Sequence, residues 1–174
     1  MAITYIRQAN NEDLNAINEL ITSGKKILAA ENIPQWQGNY PDLSILQRDI
    51  DKGFTYVLIF DEQIVGTATL FQEVDPNYAI IYDGAWLPSN NHYATIHRIT
   101  VNPAFKGHHL GDMFFSNLIS TAYNLGFHEM RIDTHAKNKR MQHLALKSGF
   151  VYSGIVYMNQ DSTDKRNVYQ LFLH

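Results

Sequence analysis

The chain has 174 residues, 45 % of them hydrophobic and 18 % charged, which is ample for a packed core and too apolar for a disordered chain. Its formal net charge of −3 gives no electrostatic reason to expect nucleic acid or an anionic membrane as a partner. There is no cysteine, which excludes disulfides, thiolate nucleophiles and cysteine-held metals.

The first residues, Met1 to Ala9, lack the basic stretch and apolar core of a signal peptide, and no apolar run is long enough to span a bilayer. A soluble, cytoplasmic protein is expected. No repeat or Ser/Gly-rich linker interrupts the text, so one domain over 1–174 is predicted.

Ile3 to Arg7 is β-prone, and Asn11 or Asp13 is placed to cap a helix after it. Leu14, Ile17, Ile21 and Leu28 recur near helical period and predict its buried stripe. The segment "ENIPQWQGNYP" breaks that pattern with two prolines and a glycine. Ser44-Ile45-Leu46-Gln47 matches a capping box, so a second helix is predicted to start there and to stop at Gly53. Phe54–Phe60 and Ile64–Phe71 read as an antiparallel hairpin around Asp61-Glu62-Gln63. Tyr78–Tyr82 suggests a further short strand, and "GAWLPSNN" an irregular loop.

Ala94–Val101 is the next strand, ended by Asn102-Pro103. A helix is expected over Gly111–Leu125, with Phe114, Leu118, Ala122 and Leu125 on one face and Gly126 as its cap. His128–Thr134 alternates as a strand, with Met130 and Ile132 on one side and Arg131 and Asp133 on the other. Asn138 caps a helix that runs to about Ser148 and ends at Gly149, and Val151–Tyr157 and Val168–Leu173 are the last strands. Thr95–Thr134 is then a β-α-β unit with parallel strands. The order predicts an α/β or α+β mixed sheet with helices on both faces.

The strand-turn-helix "NPAFKGHHLGDMFF" carries the first chemical signal. A helix start presents unpaired N–H groups and partial positive charge, and a tight loop before it aims several amides at one point. That suits a phosphate. Lys106 adds a cation, and Gly107 and Gly111 let a ligand approach the backbone. The lysine-threonine pair of a P-loop and the full dinucleotide fingerprint are both missing, so pyrophosphate recognition survives while ATP hydrolysis and NAD chemistry lose ground. The loop taken alone reads equally as a plain strand-helix turn.

Two longer stretches separate these readings. "IHRITVNPAFKGHHLGDMFFSNLISTAYNLGF", followed by "MRIDTHAKNKRMQHLALKSGFVYSGIV", resembles the GCN5-related N-acetyltransferase (GNAT) superfamily. The first is similar to its motif A, a strand ending in hydrophobic-x-Val-x-Pro and then Arg/Gln-x-x-Gly-x-Gly/Ala. Lys106 stands at the Arg/Gln position, His109 at the first glycine and Gly111 at the second. The second stretch is similar to motif B, with Asn138 and then Gly149-Phe150. The resemblance implies a GNAT-like fold, in which a central, mostly antiparallel sheet carries a parallel β-α-β cofactor unit.

It also implies acetyl-CoA as cofactor. The pyrophosphate would lie on the amides of Lys106, Gly107, His108, His109, Leu110 and Gly111. The pantetheine arm would pair with the strand at Ile99, Thr100 and Val101, and Asn138 would contact the same arm. The reaction implied is direct transfer of an acetyl group to an amine, which needs no enzyme nucleophile. The Ile99 N–H is the implied oxyanion donor.

Strand alternation would put Thr95, His97, Ile99 and Val101 on one face, so His97 would point near the thioester. An imidazole suits base work near neutral pH, and arylalkylamine acetyltransferases of this superfamily carry a histidine at the similar position. Glu73 is the reserve base. Ala145 departs from the pattern: the family often has a tyrosine there to protonate the leaving thiolate, with water or Tyr152 as substitutes here. Pro34, Trp36, Tyr40, Tyr82, Trp86 and Tyr93 fall in loops that line the acceptor pocket in the family, and Trp36, Tyr40, Tyr82 and Trp86 are the substrate candidates. Otherwise these aromatics are packing anchors.

The remaining histidines lack metal-ligand spacing, so no metal is expected. His109 is expected to keep an ordinary negative φ and to open the helix, with its ring turned from the cofactor; a positive φ would count against the cradle. The acceptor is expected to be a small-molecule amine, with neither nucleic acid nor membrane as partner and a homodimer possible. The alternative is a non-catalytic acyl-CoA-binding or sensing module.

Overall fold

The computed structural model describes residues 2–174, which form two compact units. The first comprises the chain up to Phe71 together with Ile96–Leu118, and the second comprises Gln72–Thr95 and Ile119–His174.

In the first unit β1 (Thr4–Gln8), β2 (Thr55–Phe60) and β3 (Gln63–Phe71) pair antiparallel in succession, and β4 (Ala94–Val101) follows β3. The continuous apolar run of β2 is buried along almost its whole length, as suits a strand with neighbours on both edges. Asp61 and Glu62 take φ of 47° and 67°, so a two-residue turn of the I′ kind closes the hairpin without glycine. Helices α1 (Leu14–Ala30) and α2 (Leu43–Asp51) supply Ile17, Ile21, Leu46 and Ile50, which pack with Val57 and Ile59 as the core of this unit.

Both caps differ from expectation. Asn10, rather than Asn11 or Asp13, opens the first helical segment: its side chain accepts the Glu12 N–H at 2.9 Å, and Asp13 accepts the Asn10 N–H at 2.8 Å. Arg7 holds the Asp13 carboxylate at 2.7 and 2.8 Å in position to do this. Helix α2 is capped by Asp42 and starts at Leu43, ahead of the expected Ser44; Asp42 accepts the Ile45 N–H at 2.9 Å, and the Ser44 hydroxyl donates to the same carboxylate at 2.7 Å. A carboxylate is the stronger acceptor at a positive helix end, and it takes the cap from serine.

In the second unit β5 (Glu129–Thr134) pairs antiparallel with β7 (Lys165–Phe172), and β7 with β6 (Val151–Tyr157). Strand β7 begins at Lys165 rather than Val168. The start of β4 runs parallel to β5 through Ala94–Met130 and Thr95–Arg131, as expected for a β-α-β unit. Helix α3 (Leu110–Asn124) leads into this unit and α4 (Lys139–Lys147) lies within it. Phe114, Leu118 and Ala122 are fully buried, but Leu125 is 47 % exposed, because the helix closes at Asn124 and Gly126 turns the chain at φ 91°. Tyr78–Tyr82 is not a strand. Asp75 caps a 3-10 turn over Pro76–Tyr78, and a single bridge, Tyr82 to Ile155, is all the pairing there. Tyr78, Tyr93, Val156 and Val168 form the core of this unit. Among the described residues no helix is long and apolar enough to cross a membrane.

Candidate functional site

The parallel ladder between β4 and β5 uses only Ala94 and Thr95 of β4. The rest of the strand, Ile96–Val101, thus has one edge whose backbone groups that ladder does not use. Midway along it Arg98 takes φ 52°, a left-handed conformation rare for a non-glycine and rarer inside a strand. This overturns the expected alternation. A left-handed residue makes a bulge, and the period of two does not carry across it from Thr95 and His97 to Ile99 and Val101.

The Arg98 side chain is 8 % exposed and paired with Asp49, which is 2 % exposed. Its Nη2 and Nε donate to Asp49 Oδ2 at 2.6 and 2.9 Å, and the Thr69 hydroxyl donates to the same oxygen at 3.0 Å. Its Nη1 donates to the Tyr40 hydroxyl at 2.7 Å. Burial pulls on the guanidinium's proton, but Tyr40 and Asp49 outweigh it and hold the group above its ordinary value, so it stays charged. His97 is half-buried, with its ring 5.7 Å from that of Phe71. Thr100 faces Gly24 of α1: a β-carbon on Gly24 would lie 3.0 Å from Thr100 Oγ1 and 3.1 Å from the Trp36 ring. Two acceptor-side candidates, Trp36 and Tyr40, are thus brought to the end of β4 that holds His97, Ile99 and Thr100.

Sequence reading missed Arg98, Asp49, Thr69 and Gly24. Two signals were available. Arg98 is a charge inside a β-branched run, and Asp49 interrupts the buried stripe Leu46-Asp49-Ile50 of α2.

Beyond Val101 the Asn102 N–H donates to Val65 O at 2.7 Å, and its side chain accepts the Ala104 N–H at 3.0 Å. A 3-10 turn, Pro103–Phe105, closes with the Lys106 N–H on Pro103 O at 3.2 Å. Lys106, Gly107, His108 and His109 are exposed, and buried Leu110 anchors α3. Gly107 has φ 93° and His109 φ 53°. The expected negative φ at His109 is therefore wrong. The loop keeps the left-handed turn that a glycine would take freely, and a residue with a β-carbon carries it at a cost of about 1–2 kcal/mol. By the criterion set by the sequence reading, the positive φ counts directly against inferring the cradle from this loop.

The His109 carbonyl accepts the Met113 N–H at 3.2 Å, so the N–H groups of Leu110 and Gly111 lie ahead of the first intrahelical bond. The His109 ring, 86 % exposed, sits 3.8 Å from the Asp112 carboxylate. The His108 ring packs 4.9 Å from Phe60, which also meets Phe105 at 5.6 Å.

Other candidates lie in the second unit. Asn138 caps α4 by accepting the Met141 N–H at 3.2 Å. Ala145 is completely buried, and its carbonyl accepts the Phe150 N–H at 3.1 Å. Tyr152 stands edge-on to Tyr169 at 5.7 Å. Trp86 is engaged within the fold: its Nε1–H donates to Tyr78 O at 3.0 Å, and Arg131 lies 4.4 Å from its ring and 4.0 Å from that of Tyr93. Tyr82 is half exposed and meets Tyr157 edge-on at 5.2 Å. Glu73, the reserve base, is exposed and lies beyond the end of β3.

The structure thus combines a mixed sheet whose parallel pair is joined by a helix with a bulged strand that leads into a glycine-containing helix mouth. The family model described as "Acetyltransferase (GNAT) family" matches residues 21–150. An acetyltransferase of the GNAT family from Streptococcus agalactiae is similar at 31 % identity and TM-score 0.90, over 98 % of this chain and 96 % of that one. The putative acetyltransferase yncA from Salmonella typhimurium, solved with its cofactor acetyl-CoA, is similar at 20 % identity and TM-score 0.68, over 98 % and 94 %. RimL, a ribosomal alpha-N-protein acetyltransferase in complex with coenzyme A, is similar at 15 % identity and TM-score 0.68, over 98 % and 94 %. No curated protein sequence matches the chain. The chain belongs to the acetyltransferase (GNAT) family.

Proposed function

We propose that this protein, as one acetyltransferase domain over 1–174, moves the acetyl group of acetyl-CoA to the nitrogen of an amine. The observation that carries the reading is the bulged, one-edged end of β4. It supports an extended arm pairing at Ile99, Thr100 and Val101, and it leads to a helix mouth at which the Leu110 and Gly111 N–H groups precede the first intrahelical bond. These features fit the cofactor's two ends, an amide-bearing arm and a pyrophosphate. The cofactor supplies a thioester already activated for acyl transfer.

The Gly107–Gly111 backbone would hold the pyrophosphate, the Lys106 N–H being engaged by Pro103 O, with the Lys106 side chain adding positive charge and Asp112 opposing it. The Asn138 side-chain NH2, free of the capping role of its oxygen, is assigned to the arm by the family pattern. On the family pattern, and no longer on strand alternation, His97 takes the proton from the acceptor ammonium, and the Ile99 N–H stabilises the charge that develops on the thioester oxygen. The amine lone pair forms the N–C bond, the C–S bond breaks, and sulfur leaves with its electron pair. Trp36 and Tyr40 line the acceptor side, joined by Tyr82 and Trp86 on the family pattern alone.

The mild net charge selects no strongly charged partner, and a small-molecule amine is the acceptor class we favour. A second reading, an acyl-CoA-binding module without turnover, is favoured by the buried methyl group of Ala145 where an acid would stand.

One assay separates these readings. Release of free thiol from acetyl-CoA is measured across a broad panel of amines, beside calorimetric titration with CoA. Turnover is expected, with a His97→Ala loss of about 10²–10⁴-fold and a changed pH–rate profile. Binding without turnover establishes the second reading, and neither binding nor turnover sinks both. Unchanged rate and pH profile in His97→Ala remove His97 as the base.

A further inference from the structure

Arg98 lies between the two residues to which the reaction is assigned, His97 and Ile99. Its backbone is left-handed at φ 52°, and its side chain is almost wholly out of solvent. A strand does not choose that conformation for arginine on its own, since the β-carbon opposes it. Something must hold it, and the contacts name what does. Asp49, from α2, takes Nε and Nη2 on a single oxygen at 2.9 and 2.6 Å. Thr69, from β3, adds its hydroxyl to the same oxygen at 3.0 Å and meets Nε at 3.3 Å. Tyr40, from the loop between α1 and α2, accepts Nη1 at 2.7 Å. Three separate elements therefore converge on one guanidinium, whose fork geometry is fixed.

We infer that the Asp49–Arg98–Tyr40 network is a clamp that sets the β4 bulge and so positions the His97 ring and the Ile99 N–H for acetyl transfer. Arg98 is a positioning residue, acting through its neighbours and through its own backbone. The bulge decides which way the next peptide points, and Ile99 supplies the next N–H. Tyr40 makes the clamp a joint as well. Its hydroxyl ties the loop that carries Trp36 to the strand that carries His97, so an acceptor seated on that loop is held in register with the acyl carbon. This inference rests on the acetyl-transfer reading for its rate consequence, but the geometry of the clamp is independent of it. Lysine has one point charge where arginine has a fork, and cannot serve three partners in a plane.

The test compares wild type with Arg98→Lys, Asp49→Asn and Tyr40→Phe. Each is measured for kcat, for KM of the amine, for CoA-binding stoichiometry by calorimetry, and for the position and exchange rate of the Ile99 amide signal in 15N NMR spectra. Arg98→Lys is expected to lose about 10–100-fold in kcat, the size of effect that a misplacement of about 1 Å produces. CoA should still bind one per chain, with its affinity falling less than kcat, because the 106–111 loop is untouched while the strand that pairs the arm shifts at Ile99. The Ile99 signal should move. Tyr40→Phe should raise KM for the amine more than it lowers kcat.

A kcat loss in Arg98→Lys with CoA stoichiometry retained and the Ile99 signal unmoved overturns the positioning role. So does an unmoved Ile99 signal with full kcat. Should Arg98→Lys and Asp49→Asn both fold too poorly to bind CoA, Tyr40→Phe decides: an unmoved Ile99 signal and an unchanged KM in that variant overturn the clamp. If wild type turns over no amine, the acetyl-transfer reading fails, and the clamp then stands or falls on whether the Ile99 signal shifts in Arg98→Lys.

Discussion

Replacing Gly66 by alanine tests how tightly β3 is pressed into its surroundings. Alanine in a strand interior is ordinarily about 0.5–1 kcal/mol better than glycine, since it has less backbone freedom to lose. Here the sign should reverse. A β-carbon on Gly66 would stand 3.1 Å from Leu58 Cβ, 3.2 Å from the Thr100 carbonyl oxygen and 3.3 Å from the Phe114 ring. One of these is backbone of β4 and one is a fully buried ring of α3, so neither yields freely. Overpacking costs about 1–3 kcal/mol, and against backbone and a buried ring it falls in the upper half of that range, which leaves a net loss of about 1–2 kcal/mol after the entropic gain. For a chain of this size that lowers Tm by about 2–8 °C. The measurement is urea unfolding followed by circular dichroism, and a lower midpoint with an unchanged slope is expected. Gly111→Ala is the companion. Its added methyl meets nothing within 4 Å on a helix, so it should stabilise by up to about 1 kcal/mol. If Gly66→Ala matches or exceeds wild type while Gly111→Ala behaves as stated, the contacts around Gly66 are soft and the argument from close approach is wrong.

His109→Gly removes the β-carbon from a left-handed position and should stabilise by up to about 1 kcal/mol, read as a higher urea midpoint, with CoA affinity within about threefold; a destabilised variant would mean that the ring's contact with Asp112 outweighs the strain. The hydrogen-bonded Arg7 guanidinium, with help from the Asn10 N–H and against burial, holds the Asp13 carboxyl below its ordinary value. A lowered acid contributes stability that is present above the unfolded value of about 3.9 and is lost as pH falls through the folded value. The stability gap between wild type and Asp13→Asn should therefore narrow as pH drops from 6 towards 3, and a constant gap refutes the linkage. Burial, then the Asp133 and Asp75 charges, push the Tyr78 phenol well above its ordinary value, while its hydroxyl donates to Asp133 at 2.7 Å. A raised phenol contributes stability that is complete below the unfolded value of about 10 and is lost as pH rises beyond it. Tyr78→Phe should cost about 1.5–3 kcal/mol at pH 7 and flatten the alkaline fall-off, and an unchanged alkaline slope would count against it.

Much of the fold was legible because it is written in local periodicity. The β-branched run of Ala94–Val101, the stripe Phe114-Leu118-Ala122 and the glycines at 53, 126 and 149 mark elements through short-range sterics that any window of the chain contains. Motif A and motif B were legible for a related reason. A backbone phosphate site constrains several neighbouring residues at once, so it leaves a contiguous trace. The places where sequence reading failed at short range are those where one neighbouring residue outbid another. Asp42 took a cap from Ser44, Asp75 and Pro76 turned a β-prone run into a 3-10 turn, and His109 carried a turn that glycine usually makes.

The sequence by itself determined the class of fold, the family and the strand-turn-helix that the cofactor reading rests on. Only the tertiary structure decided how β4 is shaped at its working end. The bulge at Arg98 depends on Asp49, Thr69 and Tyr40, three residues that the chain carries on three other elements. No period in β4 records them, because buried charge is satisfied by whatever partner the fold brings within hydrogen-bonding distance, and the linear order of the chain does not encode that distance.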